Sequence, residues 1–147
     1  MRALLQRVRR ASVTVDGEVT GEIGQGLLVF LGAGEGDGDD DLDYVVDKTV
    51  NLRIFADEDD KMNLSVKDVD GEILVVSQFT LYADVRKGRR PSFVKAMNAS
   101  DADQMYQRFV ERCEEHVDNV ETGVFGEMMD VELLNDGPVT IWIDSNE

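Results

Sequence analysis

Two short runs concentrate the hydrogen-bonding groups of this chain: Ser77-Gln78-Phe79-Thr80-Leu81-Tyr82 and Asn135-Asp136-Gly137-Pro138-Val139-Thr140. Each lies beside an apolar, strand-like stretch, an arrangement in which a rigid scaffold holds a binding loop. Neither contains a His, a Cys or a pair of groups suited to acid–base work. An enzyme built on them must use backbone groups, hydroxyls and the substrate itself. At Gln78, Phe79 and Thr80, N–H groups in a turn at a strand end can point at one oxygen and form an oxyanion hole, worth about 3 kcal/mol per donor. Thr80 is a candidate nucleophile with no base in view; otherwise it positions water or substrate, or caps the turn. On composition alone, Ser77 and Thr80 are ordinary turn residues.

Gly137 and Pro138 follow a different logic. Glycine lets another group approach the backbone closely, and proline removes an N–H and fixes φ. The product is a rigid display of carbonyl oxygens, which are good acceptors for an ammonium group. The alternative is a plain turn between two strands.

Other chemistry-bearing residues form weaker patterns. The run Gly32-Ala33-Gly34-Glu35-Gly36-Asp37 follows a strand but has Asp37 where a dinucleotide loop needs its third glycine, and no Gly-Lys-Ser/Thr follows. It reads as a flexible loop. Asp37, Asp39 and Asp41 resemble the start of a calcium loop, but Leu42 stands where the sharp turn needs glycine; a solvated helix start is the better reading. One His and one Cys cannot make a zinc site. His116, at the end of a predicted helix, suits the negative end of the helix dipole. No cofactor or metal is implied.

The elements that carry these groups follow from the hydrophobic pattern. Val13 and Val15 alternate with polar residues, Asp16-Gly17 offers a hairpin turn, and residues 18–23 alternate again. Residues 26–31 form a continuous apolar run, as in a strand covered on both faces, and a Gly- and Asp-rich loop runs from Gly32 to Asp41. A helix follows, with Leu42, Val45, Val46, Thr49 and Val50 on one face. Residues 52–55 suggest a short strand, and residues 72–76 a second buried strand that delivers Ser77 to Tyr82. A second helix starts near Ser100, where Ser100 and Asp103 have capping-box spacing. Its core face carries Ala102, Met105, Tyr106, Phe109, Val110 and Cys113. Two strands, around residues 131–134 and 139–143, complete a mixed α/β domain, with no repeat and no linker.

The bulk composition narrows the class. A chain of 147 residues with 42% hydrophobic content supports one domain with a real core. No stretch has the roughly 18 to 20 apolar residues of a membrane span, and Arg7, Arg9 and Arg10 interrupt any signal-peptide core. A cytoplasmic protein is expected, and a single cysteine agrees. The net charge of −16 argues against nucleic acid in general. Only 5 of the 15 bases are lysine and Asp outnumbers Glu, which suggests a salt-adapted surface. The bases are unevenly spread, however. Arg86, Lys87, Arg89 and Arg90 sit just after the first motif, where local positive potential can draw in a polyanion; the plainer reading is a solvated loop that balances nearby acids.

The two motifs, with Gln6-Arg7-Val8 and the run from Arg86 through Arg90-Pro91-Ser92-Phe93, closely resemble the D-aminoacyl-tRNA deacylases. The resemblance spans the chain from Met1 to about Ser145. It implies a homodimer of α/β subunits with a compact β-barrel-like core and two main helices, with the active site at the dimer interface. It implies hydrolysis of the ester joining a D-amino acid to the 3′-terminal ribose of tRNA. In the family the Gly-Pro is cis and reaches into the partner's site; here Gly137 and Pro138 would bind the α-ammonium and Arg7 would hold them. Ser77, Gln78, Phe79 and Thr80 would form the catalytic turn, and Arg86, Lys87, Arg89 and Arg90 become candidate tRNA contacts. A sister family with a trans Gly-Pro removes L-alanine, but its first motif reads Pro-Gln-Ala-Thr-Leu, and Ser77, Phe79 and Arg7 favour the D-specific branch. A non-catalytic tRNA- or nucleotide-binding module is the reading from another class, and a structural dimer without ligand explains neither motif.

Overall fold

A computed structural model describing residues 1–147 is organised around one long strand, β1 (Arg2–Val15). Its C-terminal half turns through Asp16 and Gly17, at φ 49° and 82°, into β2 (Glu18–Ile23). Two positive φ values in a two-residue loop match the right-handed twist of a hairpin. Its N-terminal half pairs with β3 (Gly26–Gly32), also antiparallel. β3 runs parallel to β6 (Glu72–Ser77), and β6 parallel to β7 (Val120–Thr122). On the other side of β1 lies β8 (Asp130–Asp144), antiparallel over nearly its whole length.

The sheet order β2-β1-β3-β6-β7 curls until its ends meet. A Cβ at Gly21 of β2 would stand 2.4 Å from the Thr122 carbonyl oxygen of β7, so only glycine permits this approach. The result is a nearly closed barrel-like sheet with two helices against it. Helix α1 (Asp39–Asn51) buries Leu42, Val45, Val46, Thr49 and Val50, the face its 3.6-residue periodicity predicts. Helix α2 (Ala99–Glu114) buries Met105, Tyr106, Phe109, Val110 and Cys113. A small hairpin, β4 (Phe55–Ala56) and β5 (Met62–Leu64), follows α1.

Residues 27–31 of β3 and 73–76 of β6 are apolar because both faces of these strands are covered. Leu27, Val29, Leu31, Ile73 and Val75 join the large core beneath the helices. Leu28, Leu74 and Val76 point the other way and join Val8, Ala11, Val13 and Ile23 in a smaller core. No helix is long and apolar enough to cross a membrane.

Several local expectations shift. The short strand begins at Phe55 rather than Leu52, because Leu52 is the C-cap of α1 and donates its N–H to Lys48 O. Asn98, not Ser100, caps α2: its side chain accepts from Asp101 N–H at 3.0 Å and donates to the Asp101 carboxylate at 2.8 Å. The Gly-rich segment after β3 is tied down, not flexible. Asp37 accepts from Gly34 N–H at 2.6 Å and pairs with the buried Met1 ammonium at 2.8 Å. Glu35 N–H and Met97 N–H complete hydrogen bonds between this segment and the chain entering α2. Asp39 and Asp41 are likewise occupied, by Arg108 and by Gly38 N–H with the Ser145 hydroxyl.

Candidate active site

The first motif is the point where β6 runs out of sheet. Ser77 is its last ladder residue, paired with Leu31, and Gln78 N–H still donates to Leu31 O at 2.8 Å. The chain then turns at Gln78 into one turn of 3-10 helix, Phe79–Tyr82. The first N–H groups of any helix lack internal partners. Here those of Phe79 and Thr80 are left over, since Leu81 N–H takes the Gln78 carbonyl and Ala83 N–H takes that of Thr80. Gln78 donates its side-chain amide to the Thr80 hydroxyl oxygen in a short hydrogen bond. No carboxylate or imidazole hydrogen-bonds to Thr80 or Ser77. Arg2 anchors the far end of the turn: it donates to Leu81 O at 2.9 Å and lies 4.4 Å above the Tyr82 ring.

Beside this turn opens a cavity of about 670 Å³, lined by Ser77, Gln78, Phe79, Phe93, Tyr106 and Met129 among mostly apolar neighbours. Tyr106 donates its hydroxyl to Val75 O at 3.2 Å, and burial pushes its ionisation up to about 12. Phe79 is 56% exposed and meets Phe93 edge-on, ring centroids 5.0 Å apart. Such an aromatic rim, with few polar groups inside, is the ordinary form of a small-molecule site.

Phe93 also brings the basic loop to this rim. Residues 84–92 are closed at their base by two hydrogen bonds between Asp84 and Ser92, at 2.8 and 2.9 Å. Arg86 is committed to Asp84, with side-chain contacts of 2.9 and 2.6 Å, and this guanidinium holds the Asp84 carboxyl well below its usual range. Lys87, Arg89 and Arg90 are exposed and form no ion pair.

The second motif is not a turn between two strands. β8 passes straight through it as one 15-residue strand that bulges away from β1. Pairing runs to Gln6 with Thr140 and resumes at Val8 with Asn135. Gly137 has φ +153°, and a Cβ there would lie 2.7 Å from Val139 N, so glycine is required. The Gly137-Pro138 peptide is cis. Arg7, nearly buried at 12% exposure, donates to Asp136 O at 2.8 Å and to Ile54 O at 2.6 Å. Arg9 adds an ion pair to the Asp136 carboxylate at 3.5 Å. Asn135, to which sequence reasoning assigned no role, bonds both backbone groups of Val139.

The two motifs do not meet within one chain. Ser77 pairs with Leu31 and Leu31 with Ala3, whereas Arg7 pairs with Leu27 and Leu27 with Ile73. Four residues along a strand and three strand spacings across put Ser77 about 20 Å from the Gly137 bulge, measured along the sheet. No hydrogen bond or ion pair links them. His116 follows α2, donating its N–H to Cys113 O, and takes no part in either motif.

The site thus sets main-chain donors and hydroxyls beside an apolar cavity on a barrel-like α/β fold. Comparison with known proteins gives the family. A model described as D-Tyr-tRNA(Tyr) deacylase matches residues 4–144. The D-aminoacyl-tRNA deacylase of Clostridium acetobutylicum is 53% identical over 147 residues, covering 100% of this chain and 99% of that protein. That of Halothermothrix orenii is 58% identical over 147 residues with the same coverage. A solved structure named c-Myc DNA unwinding element binding protein has a TM-score of 0.93 at 44% identity, covering 98% of each chain. A probable eukaryotic D-amino acid tRNA deacylase shares the fold, with a TM-score of 0.81 over 97% of each chain at 18% identity. The chain belongs to the D-aminoacyl-tRNA deacylase family, a family of enzymes.

Proposed function

We propose that this protein hydrolyses the ester between a D-amino acid and the 3′-terminal ribose of tRNA, in the cytoplasm, and rejects L-aminoacyl-tRNA. The observation that carries the mechanism is the pair of unpartnered N–H groups, Phe79 and Thr80, on the turn beside an apolar cavity that Phe79 lines. Donors fixed before the reaction stabilise a developing oxyanion without reorganising. The cavity is roomy enough for the terminal nucleoside, with Phe79, Phe93 and Tyr106 offering apolar faces. The neighbouring ribose 2′-hydroxyl activates the attacking water, so no catalytic histidine is needed. Ser77 and Gln78 shape the turn, and the Gln78 amide fixes the Thr80 hydroxyl.

The Gly137 and Pro138 carbonyls bind the α-ammonium. They stand about 20 Å from the Phe79 and Thr80 donors in one chain, far beyond the reach of one aminoacyl ester's ammonium and carbonyl. The site is therefore completed by the Gly-Pro segment of a second copy in a homodimer, an arrangement in which one two-fold axis builds two sites at once. With ammonium and ester held, a D side chain points to open space and an L side chain meets the Gly-Pro backbone. Rejection by a clash demands no side-chain pocket, so many D residues are accepted. Glycine has no side chain to reject, and glycyl-tRNA is cleaved. Lys87, Arg89 and Arg90, beside the Phe93 rim, meet tRNA phosphates, and Arg86 braces their loop through Asp84.

The deciding experiment is hydrolysis of D-tyrosyl-tRNA against L-tyrosyl-tRNA at low and molar KCl. Rapid loss of the D ester alone is the expected result. A D ester that survives both conditions discards the proposal.

A further inference from the structure

We propose that Asn135 is the positioning residue for the ammonium-binding half of the site, and that its side-chain amide sets the discrimination between D and L esters. This rests on the deacylase reading above. Between the Gln6–Thr140 and Val8–Asn135 pairs, residues 136–139 of β8 stand opposite Arg7 alone. A bulge of that kind leaves backbone groups without ladder partners, and buried ones must find others. Asn135 supplies two of them. Its Oδ1 accepts from Val139 N–H at 2.8 Å, and its Nδ2 donates to Val139 O at 3.1 Å. The amide does for Val139, whose side chain is buried, what a neighbouring strand would do. It thereby closes a ring across Asp136, Gly137 and Pro138.

The opposite end of the ring is held by Arg7 through Asp136 O at 2.8 Å. No side chain hydrogen-bonds to the Gly137 or Pro138 carbonyl, so their direction is set by what grips the residues on either side. Arg7 grips one flank and Asn135 the other. Thr140, next along β8, is steadied from Gln6 at 3.3 Å, and its hydroxyl lies 3.4 Å from Asn135 Nδ2. The oxyanion donors sit three strands away and share none of these bonds. Loosening the ring softens the surface that an L side chain strikes while leaving the reactive turn intact.

The test compares wild type with Asn135→Leu, close in shape but without either bond, and Asn135→Asp, which keeps only the acceptor. Each is assayed for kcat/KM on D-tyrosyl-tRNA and L-tyrosyl-tRNA, with thermal melting in parallel. The D-to-L ratio is expected to fall about tenfold in Asn135→Leu, the size of two neutral hydrogen bonds, through a gain on the L ester. Asn135→Asp lowers it in the same direction and serves as the readout if the Leu variant does not fold. An unchanged ratio, or equal losses on both esters with a lowered melting temperature, overturns the assignment and leaves Asn135 a merely structural residue. Wild type that cleaves neither ester removes the deacylase reading itself, and this inference with it.

Discussion

The two polar runs look alike in sequence but are held in different ways. Ser77–Tyr82 is an end: a doubly buried parallel strand terminates, Gln78 N–H makes one last ladder bond to Leu31, and the next two donors are released. Main chain holds main chain, and side chains contribute little to the direction of those donors. Asn135–Thr140 is an interruption: a strand continues on both sides while its middle leaves the ladder. There, side chains replace the missing strand, with Arg7 on Asp136 and Asn135 on Val139. The difference predicts that the first run tolerates side-chain substitution and the second does not.

Arg7→Ala gives the largest expected effect. It removes two charge-assisted bonds, to Asp136 O and Ile54 O, each worth about 1.5–3 kcal/mol, from a nearly buried guanidinium. Deacylation of the D ester should fall about 100-fold or more in kcat/KM, while far-UV circular dichroism stays unchanged. A loss of less than about threefold would show that the bulge holds itself, and the contrast between the two regions would collapse.

Alkaline pH probes the other half. β6 is supported just before the reactive turn by the Tyr106 hydroxyl on Val75 O, and burial raises that hydroxyl to about 12. Unfolded tyrosine ionises near 10. A group raised in the folded state stabilises fully below its unfolded value and loses that contribution as pH rises through the folded value. Stability should therefore drop between pH ~10 and ~12 by up to about 1.4 kcal/mol per pH unit from this group. Buried Cys113, also raised to about 12, adds to the slope from a lower starting pH. Chemical denaturation of Tyr106→Phe across this range should show a shallower decline. An equal decline in both proteins would contradict the support assigned to the Tyr106 hydroxyl.

Neutralising the basic loop tests whether it serves the first motif at all. In Lys87→Ala/Arg89→Ala/Arg90→Ala, the slope of log K against log salt for tRNA should flatten by about 2–3, the release of three phosphate contacts. The Arg86–Asp84 pair should keep the loop closed. An unchanged slope would reject the tRNA contact.

How much of this was legible in the sequence follows the same division. The buried face of α1, Leu42 to Val50, follows directly from helical periodicity, and the apolar runs of β3 and β6 follow from burial on both faces. Such patterns are local, and local patterns survive into the fold. The turn after β6 is legible as a strand end with polar residues. The continuity of β8 is not, because Asn-Asp-Gly-Pro carries every local mark of a turn. Only its pairing with β1, set by residues more than a hundred positions away, shows that the strand runs on. The Gly-rich segment at Asp37 reads as flexible for the same reason: the ion pair that ties it down comes from Met1, on another element. Asn135 carries no signal of its own in that run, and its two bonds to Val139 become visible only once the bulge exists. Local signals mark both polar runs; long-range pairing decides how the second is held.

The smallest expected effect is also the sharpest discriminator. Thr80→Val replaces the hydroxyl with a methyl of nearly the same shape and leaves the Thr80 N–H in place. Main-chain donors would then still meet the oxyanion, and the 2′-hydroxyl would still activate water. The lost groups are a hydroxyl that accepts from Gln78 Nε2 and one released amide, which can turn toward solvent. Single-turnover hydrolysis of D-tyrosyl-tRNA should therefore slow by no more than about threefold, the loss of one exposed neutral hydrogen bond. A nucleophilic threonine predicts the opposite: activity abolished, fold and tRNA binding intact, and an acyl-enzyme trapped on the wild type at low temperature. Abolished turnover would move the chemistry from the backbone of this turn to its side chain, and the tolerance inferred for the first region would hold only for its geometry.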